Sequence, residues 1–459
     1  MPLPNYIVPT NYVGAFDPSN VASRWTDGWT VGINGNKAVW DFPAGQGTLA
    51  AATAPVANGT CPPGTFLLVA NDPAASKFSA EFGALSADEA GLFAGAAAAG
   101  DYDICVLPGQ FGTAGTVTLT NDNVYKLPSG SPVLVGTGDD VNAANDVAVT
   151  LVIEPGTLIY GEPNTSLVIT RGSKIMANGT KENPIVMTSD AQLTARFDGN
   201  PATDPMGIRQ RWGGLVVIGK ARDNRCRGNF VACNAPLEGL PNVFGGGDND
   251  ADDSGVIQYV VSRNGGSAVE LDKEINGITL YAVGSGTRVN YVQTHLNSDD
   301  GIEFFGSTVS VAHVAVTDNA DDAFDWGHGF RGAAQFVFIR SANDAADRAI
   351  EADNDNSSPA EVPVSFPLLA NFTAIGPTDP AFVSESEKRG GGFLFRRGTK
   401  VQVWNTLVQG ASTHCVNIDD DGKSDTYNHV PAPGTNPGAN LVMRNTILDC
   451  AMAKAFAIE

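Results

Sequence analysis

The segment DNADDAFDWGHGF (318–330) gathers Asp321, Asp322, Asp325 and His328 within a few residues. Aspartates and a histidine so close together can ligate a metal ion or serve as the acids of a hydrolase. The pattern recurs. NSDDGIEFFG (297–306) and NDAADRAIEAD (343–353) align with it, setting Asp299, Asp321 and Asp347 in one column and Glu303, Asp325 and Glu351 in a second, four residues on. Asp419 of CVNIDD falls at the second position as well, and Glu270 of SAVELD extends it.

If those columns stack on neighbouring strands, carboxylates about 4.8 Å apart repel by about 1 kcal/mol in water and about 3–4 kcal/mol at an effective dielectric near 20. Such a row needs wide solvation, hydrogen-bonded turns, raised pKa values or bound cations. Hard oxygen ligands suit calcium, making calcium the expected cofactor at Asp299, Glu303, Asp321, Asp325, Asp347 and Glu351. The plainer reading has Asp and Asn bonding their own turns. Three acidic segments add calcium-loop character: Asp248, Asp250 and Asp252; Asp353 and Asp355 with Ser357; and Asp419, Asp421 and Asp425. None carries a glutamate at the twelfth position, so these are not EF-hands.

A glycoside hydrolase would need two carboxylates across a groove. Asp299, Asp322 and Asp325 are the catalytic candidates for it, with Trp326 or Trp404 as a sugar platform. A lyase would draw its base from Lys388, Arg389, Arg396 and Arg397, with calcium neutralising a uronate. His295, His313, His328, His414 and His429 form no HxxxH or HxH pair, which disfavours zinc hydrolysis, and His328 beside Trp326 reads as a packing residue. GxSxG is absent.

The elements that must hold these residues are short strands. VAVTLVIEPGTLIYG (147–161), SLVITRGSKIMANGT (166–180) and NPIVMTSD (183–190) are β-branched runs broken by Gly, Pro and Asn, with Pro155-Gly156 fitting a type II turn. No helical periodicity intervenes, which excludes a βαβ sheet. The stretches 287–306, 307–327 and 332–353 superpose as units, 400–420 repeats the form and 439–450 begins another. A period of roughly 20 to 26 residues with two or three strands each predicts a parallel β-helix. The solenoid is expected over 116–459, preceded by a mixed cap module over 1–115. In that module ASRWTDGWTVGINGNKAVWDF reads as aromatic strands, and SADEAGLFAGAAAAGDYD as a helix capped by Ser86.

The formal charge of −22, from 28 basic and 50 acidic residues, repels nucleic acid and anionic membrane and favours cations. Six cysteines without a CxxC pair point to disulfides in an oxidising compartment, and proximity favours Cys61–Cys105, Cys226–Cys233 and Cys415–Cys450. No apolar run is long enough for a transmembrane helix. MPLPNYIVPT lacks the basic and apolar regions of a signal peptide, so a mature or trimmed chain is expected.

LVIEPGTLIYG, LVITRGSKIMANGTKENPIVMTSD, RWGGLVVIGKA, PLEGLPNVFGG, INGITLYAVGSGTRVNYVQTHLNSDDGIEFFG with its continuation to FVFIR, and AIEADN resemble a group of secreted or surface-anchored bacterial proteins. Those proteins are described as right-handed parallel β-helix or lipoprotein-like and have no established enzymatic activity. The similarity spans about 120 to 355, and WTDGWT (25–30) resembles their N-terminal region. No lipobox cysteine opens this chain, so a lipid anchor is not implied. The resemblance implies an extracellular or cell-surface β-helix. The expected role is structural or binding: adhesion, surface-layer or filament assembly, or capture of a polymer such as a polysaccharide, with self-association or an outer-membrane partner. The alternative is a polysaccharide lyase or glycoside hydrolase.

Overall fold

The computed structural model describes residues 7–20, 24–33, 60–82, 102–138, 145–195, 209–270, 273–379, 382, 389–419, 426, 441–450 and 456–458. Nearly all regular structure is strand, and the strands pair parallel into two long sheets of seventeen and eleven members. The chain is a parallel β-helix, as the repeats predict, and right-handed, as the resemblance implies.

One coil runs a long strand in the larger sheet, turns, runs a strand of about four residues in the smaller sheet, and turns again. Val260, Val292, Val314, Val337 and Phe372 are successive register partners or near neighbours of the long strands, and all are buried. Across the interior, Ile278, Ile302, Phe324, Ile350, Phe393 and Val416 stack on the short strands. Leu280, Phe304, Trp326, Ala352, Phe395 and Ile418 form the adjoining inward column. Because strand side chains alternate, the residues between these two columns face outward.

The long strands bend at one shared position. Tyr259, Tyr291, His313, Phe336, Asn371, Asn405 and Asn445 all hold a left-handed φ, between 47° and 58°. At that corner the Tyr259, Tyr291 and His313 rings lie face to face, with centroids 4.5 and 4.2 Å apart.

The strand expectations over 147–190 hold: Val149–Ile153, Leu158–Gly161, Leu167–Ile169, Lys174–Asn178 and Ile185–Ser189 are strands. Between the first two, Gly156 has φ 84° and the Thr157 N–H donates to the Glu154 carbonyl at 3.2 Å, closing the turn. The period varies more than expected. It is 22 residues from Arg288 to Ser310 and 23 from Val311 to Ala334, but 35 from Ala334 to Leu369, because loops are inserted at the turns.

The N-terminal region differs from a simple cap. Parallel coil pairing already begins at Asp103–Val106, against Asn123–Leu127, so the solenoid starts ahead of residue 116. Phe66–Leu67 adds antiparallel to Asp103–Val106, and a helix, Phe78–Phe82, packs beside it. Residues 7–20 and 24–33 run back along the larger sheet in the middle of the solenoid, held by side-chain amides. Gln335 accepts from the Val8 N–H at 2.8 Å and donates to its carbonyl at 2.7 Å; Gln293 does the same for Val31 at 2.8 and 2.7 Å. The WTDGWT stretch is a series of turns rather than strands, with Trp25 and Trp29 packed near the corner rings. The helix expected from Ser86 lies outside the described residues, apart from its last two positions, Tyr102 and Asp103, and Asp103 opens a strand. The three disulfides are Cys61–Cys105, Cys226–Cys233 and Cys415–Cys450.

Candidate metal centre

The smaller sheet places Glu303, Asp325 and Glu351 in direct register on three successive coils. Each occupies the outward position between two buried columns, so strand alternation alone turns all three carboxylates to one face. The column continues differently from the sequence reading. After Glu351 come Leu394 and then Asn417, so Asp419 lies two residues past the row, and Thr279, not Glu270, precedes Glu303. Asp421 and Asp425 lie outside the described residues.

The turn entering these strands supplies the other acids. Asp299, Asp321 and Asp347 are partly exposed. Asp300 and Asp322 are only 7% and 5% exposed, and each reaches across to the next coil. Asp300 accepts the Asp322 N–H at 3.0 Å, and Asp322 accepts the Arg348 N–H at 2.6 Å. The Asn297 side chain donates to the Asp300 carbonyl at 2.8 Å and Asn319 to that of Asp322 at 2.6 Å. The turns are closed by Asn297 and Asn319, while the second aspartate of each Asp-Asp pair ties its coil to the next.

What remains is a crowded strip of carboxylates. Oxygen atoms of Asp299, Asp300 and Asp321 lie within 4.8 Å of one another, as do those of Asp300, Glu303 and Asp325, of Asp321, Asp322 and Asp347, and of Asp322, Asp325 and Glu351. The groups overlap, so the strip is continuous. Burial first, and neighbouring carboxylates second, push Asp299 up to about 7 and lift Asp300, Glu303, Asp322 and Asp325 well above the ordinary carboxylate range. Burial also raises Glu351 to about 7, against the pull of Arg396.

Arginine closes one end of the strip. Arg396 bonds Glu351 and donates to Asp353 at 2.8 Å, and Arg397 reaches Asp353 at 2.5 Å. Despite its burial, Arg396 is raised above its ordinary pKa by Glu351 and Asp353, which favours its cationic form. Arg389 sits over the Phe382 ring, 5.2 Å from its centroid, and Lys388 lies outside the described residues.

In the two acidic loops that lie within the described residues, the carboxylates are engaged by protein groups. Asp248 and Asp250 hold Arg222 at 2.6 and 3.2 Å, and Asp250 also holds Arg331 at 2.9 Å. Asp252 accepts from Ser254, Asp353 is engaged by Arg396 and Arg397, and Asp355 accepts the Ser357 and Ser358 N–H groups and pairs with Arg227. Guanidinium groups stand where a cation would otherwise be needed. The sugar platforms also fall away: Trp326 is fully buried and donates to Thr399 at 3.0 Å, while Trp404 is on the larger sheet beneath Arg444. His328 stacks on Phe305 at a corner and is lowered to about 4 by burial, a packing residue as expected.

A family model described as a pectate-lyase-like β-helix domain matches residues 110–436. Neither the curated proteins nor the solved structures contain a match to this chain.

Proposed function

The chain belongs to the pectate-lyase-like β-helix family, and on that footing we propose that it is a secreted, cell-surface β-helix with a structural or binding role, stabilised by calcium along its acidic strip. The four overlapping carboxylate triads carry this reading. A divalent cation bound by several of these oxygens would replace mutual repulsion with attraction across coils, locking the register of the stack. Three disulfides support an oxidising, extracellular setting, and among the described residues no helix is long and apolar enough to cross a membrane. An acidic surface stiffened in this way suits adhesion, filament or surface-layer assembly, or capture of a polymer.

Thermal melts of the metal-stripped protein, with and without added calcium, test it. The reading expects a rise of many degrees with calcium that a chelator reverses; superimposable melts would remove it.

The alternative, a polysaccharide lyase or glycoside hydrolase, draws on the family and on the neutral-range titration of Asp299, which suits a general acid. A screen of acidic and neutral polysaccharides, with Asp322→Asn and Asp325→Asn as controls, separates the two. Turnover by the wild type that disappears in both variants would establish the enzyme.

A further inference from the structure

Between the N-terminal strap, residues 7–20 and 24–33, and the corner of the coils lies a cleft with room for about 330 Å³. That is the lower end of the volumes in which proteins hold small organic ligands. Its floor is the ladder of Tyr259, Tyr291, His313 and Phe336. These come from four successive coils, so the floor is about 14 Å long at about 4.8 Å per coil. Phe16, Asp17, Arg24 and Trp25 of the strap face it from the other side. Lys181 joins them from the turn after Lys174–Asn178.

This lining is electropositive in a chain whose net charge is −22. Arg24 and Lys181 have no carboxylate partner among the described residues, whereas Arg222, Arg396 and Arg397 each hold an aspartate. Arg24 lies over the Phe16 ring, 5.7 Å from its centroid. Asp17 is the one carboxylate among the described residues of the lining, and it already accepts the Ser19 N–H at 2.8 Å and hydroxyl at 2.6 Å. The ladder rings stack with centroids 4.5, 4.2 and 4.9 Å apart, which covers their faces and leaves their edges to the cleft. An aromatic edge is the positive side of the ring quadrupole. Burial raises Tyr259 to about 12 and lifts Tyr12 and Tyr291 as well, so three phenols in the lining stay protonated and able to donate. His313, lowered to about 4 by burial, adds no charge. Free cations, positive ring edges and phenol donors together complement a negative oxygen, and Ala15, Phe16 and Phe336 offer apolar contact to whatever carries it.

We propose that this cleft binds a small organic anion, a carboxylate on a compact apolar body, held between the strap and the coils. The carboxylate draws on Arg24, Lys181 and the phenol donors, and the body lies along the ladder edge. Because one wall is strap and the other is coil, an occupied cleft pins the first onto the second. The site is independent of the calcium reading, since no carboxylate of the acidic strip lines it.

Calorimetric titration of the full-length protein with sodium benzoate, in chelator so that calcium plays no part, tests the site. Benzamide carries the same ring without the charge, and glucuronate a carboxylate on a polar body. The expected result is saturable one-to-one binding of benzoate, with benzamide and glucuronate each about tenfold weaker or more. Arg24 is exposed and Lys181 half-buried, so the double variant Arg24→Gln/Lys181→Gln leaves the core intact. It should weaken benzoate about tenfold, the scale of two solvent-facing charges, while Lys400→Gln, outside the cleft, changes nothing. Bound benzoate should also slow hydrogen exchange at the Phe16 and Trp25 amides. No binding of benzoate, equal binding of benzamide, or a double variant that titrates like wild type would overturn the proposal. So would protection confined to amides away from the strap. Glucuronate bound more tightly than benzoate would overturn the apolar body and make the cleft a saccharide site instead.

Discussion

Glu303 and Asp325 are register partners on adjacent coils, two carboxylates brought side by side by the hydrogen-bonding step of the sheet itself. No rotamer change can part them by more than the length of their side chains, so the native fold must either neutralise them or bear their repulsion. Raised pKa values are the first consequence. A carboxyl whose folded pKa exceeds its unfolded value contributes stability at low pH, and that contribution is lost as pH rises through the folded pKa. The buried histidines act in the opposite sense below their ordinary 6.5, since His313 and His328 are lowered to about 4. Above 6.5 both are neutral in either state, leaving the carboxyls to dominate. The chelated protein should therefore lose stability from pH 6.5 to about 8.5, by about 1.4 kcal/mol per pH unit for each proton the folded strip retains. Denaturant melts across that range measure it. A flat or rising profile would contradict the raised values of Asp299 and Glu351.

The Asp-Asp pairs make a separable prediction. Asp322 accepts the Arg348 N–H, so Asp322→Ala strands a buried donor and should cost about 1–3 kcal/mol in chelator. Asp322→Asn keeps an acceptor and removes a group that would otherwise ionise against its neighbours as pH rises, so it should be at least as stable as wild type under the same conditions. Equal loss in both variants would mean that charge, not the hydrogen bond, is the role of Asp322.

The N-terminal strap is expected to depend on two glutamines. Gln293→Ala removes both bonds to Val31, and hydrogen exchange at the Val31 amide should accelerate about tenfold, from the loss of roughly 0.5–1.5 kcal/mol per bond. If the strap opens as one unit, the Val8 amide, held by Gln335, accelerates with it; if the contacts are independent, Val8 is unchanged.

The sequence carried the coil pattern clearly wherever the period was short. Asp299, Asp321 and Asp347, and Glu303, Asp325 and Glu351, could be aligned because few residues separate their coils. Past Glu351 the turns lengthen and the count fails. Asn417 and Asp419 are two residues apart and share a strand's alternation, so hydrophobic pattern cannot choose between them; only the pairing of Leu394 with Asn417 does. The cleft beneath the strap was invisible for a different reason. Arg24 and Lys181 sit on separate segments with no repeat of their own, and only folding brings them to the Tyr259 ladder. Gln293 and Gln335 likewise look like ordinary strand residues until the strap they hold is seen. The paired aspartates, by contrast, did carry a signal. Asp299-Asp300 and Asp321-Asp322 are adjacent in two successive units, and in each the second aspartate bonds the backbone of the next coil.

The most direct test of a cation-bearing strip is a crystal structure of the protein grown in millimolar calcium, with anomalous differences to identify the ion. The account predicts calcium about 2.3–2.6 Å from oxygens of the row running from Asp299 to Glu351, including Glu303 and Asp325. Carboxyls bonded directly to one another, with no ion along the row at that calcium concentration, would contradict it.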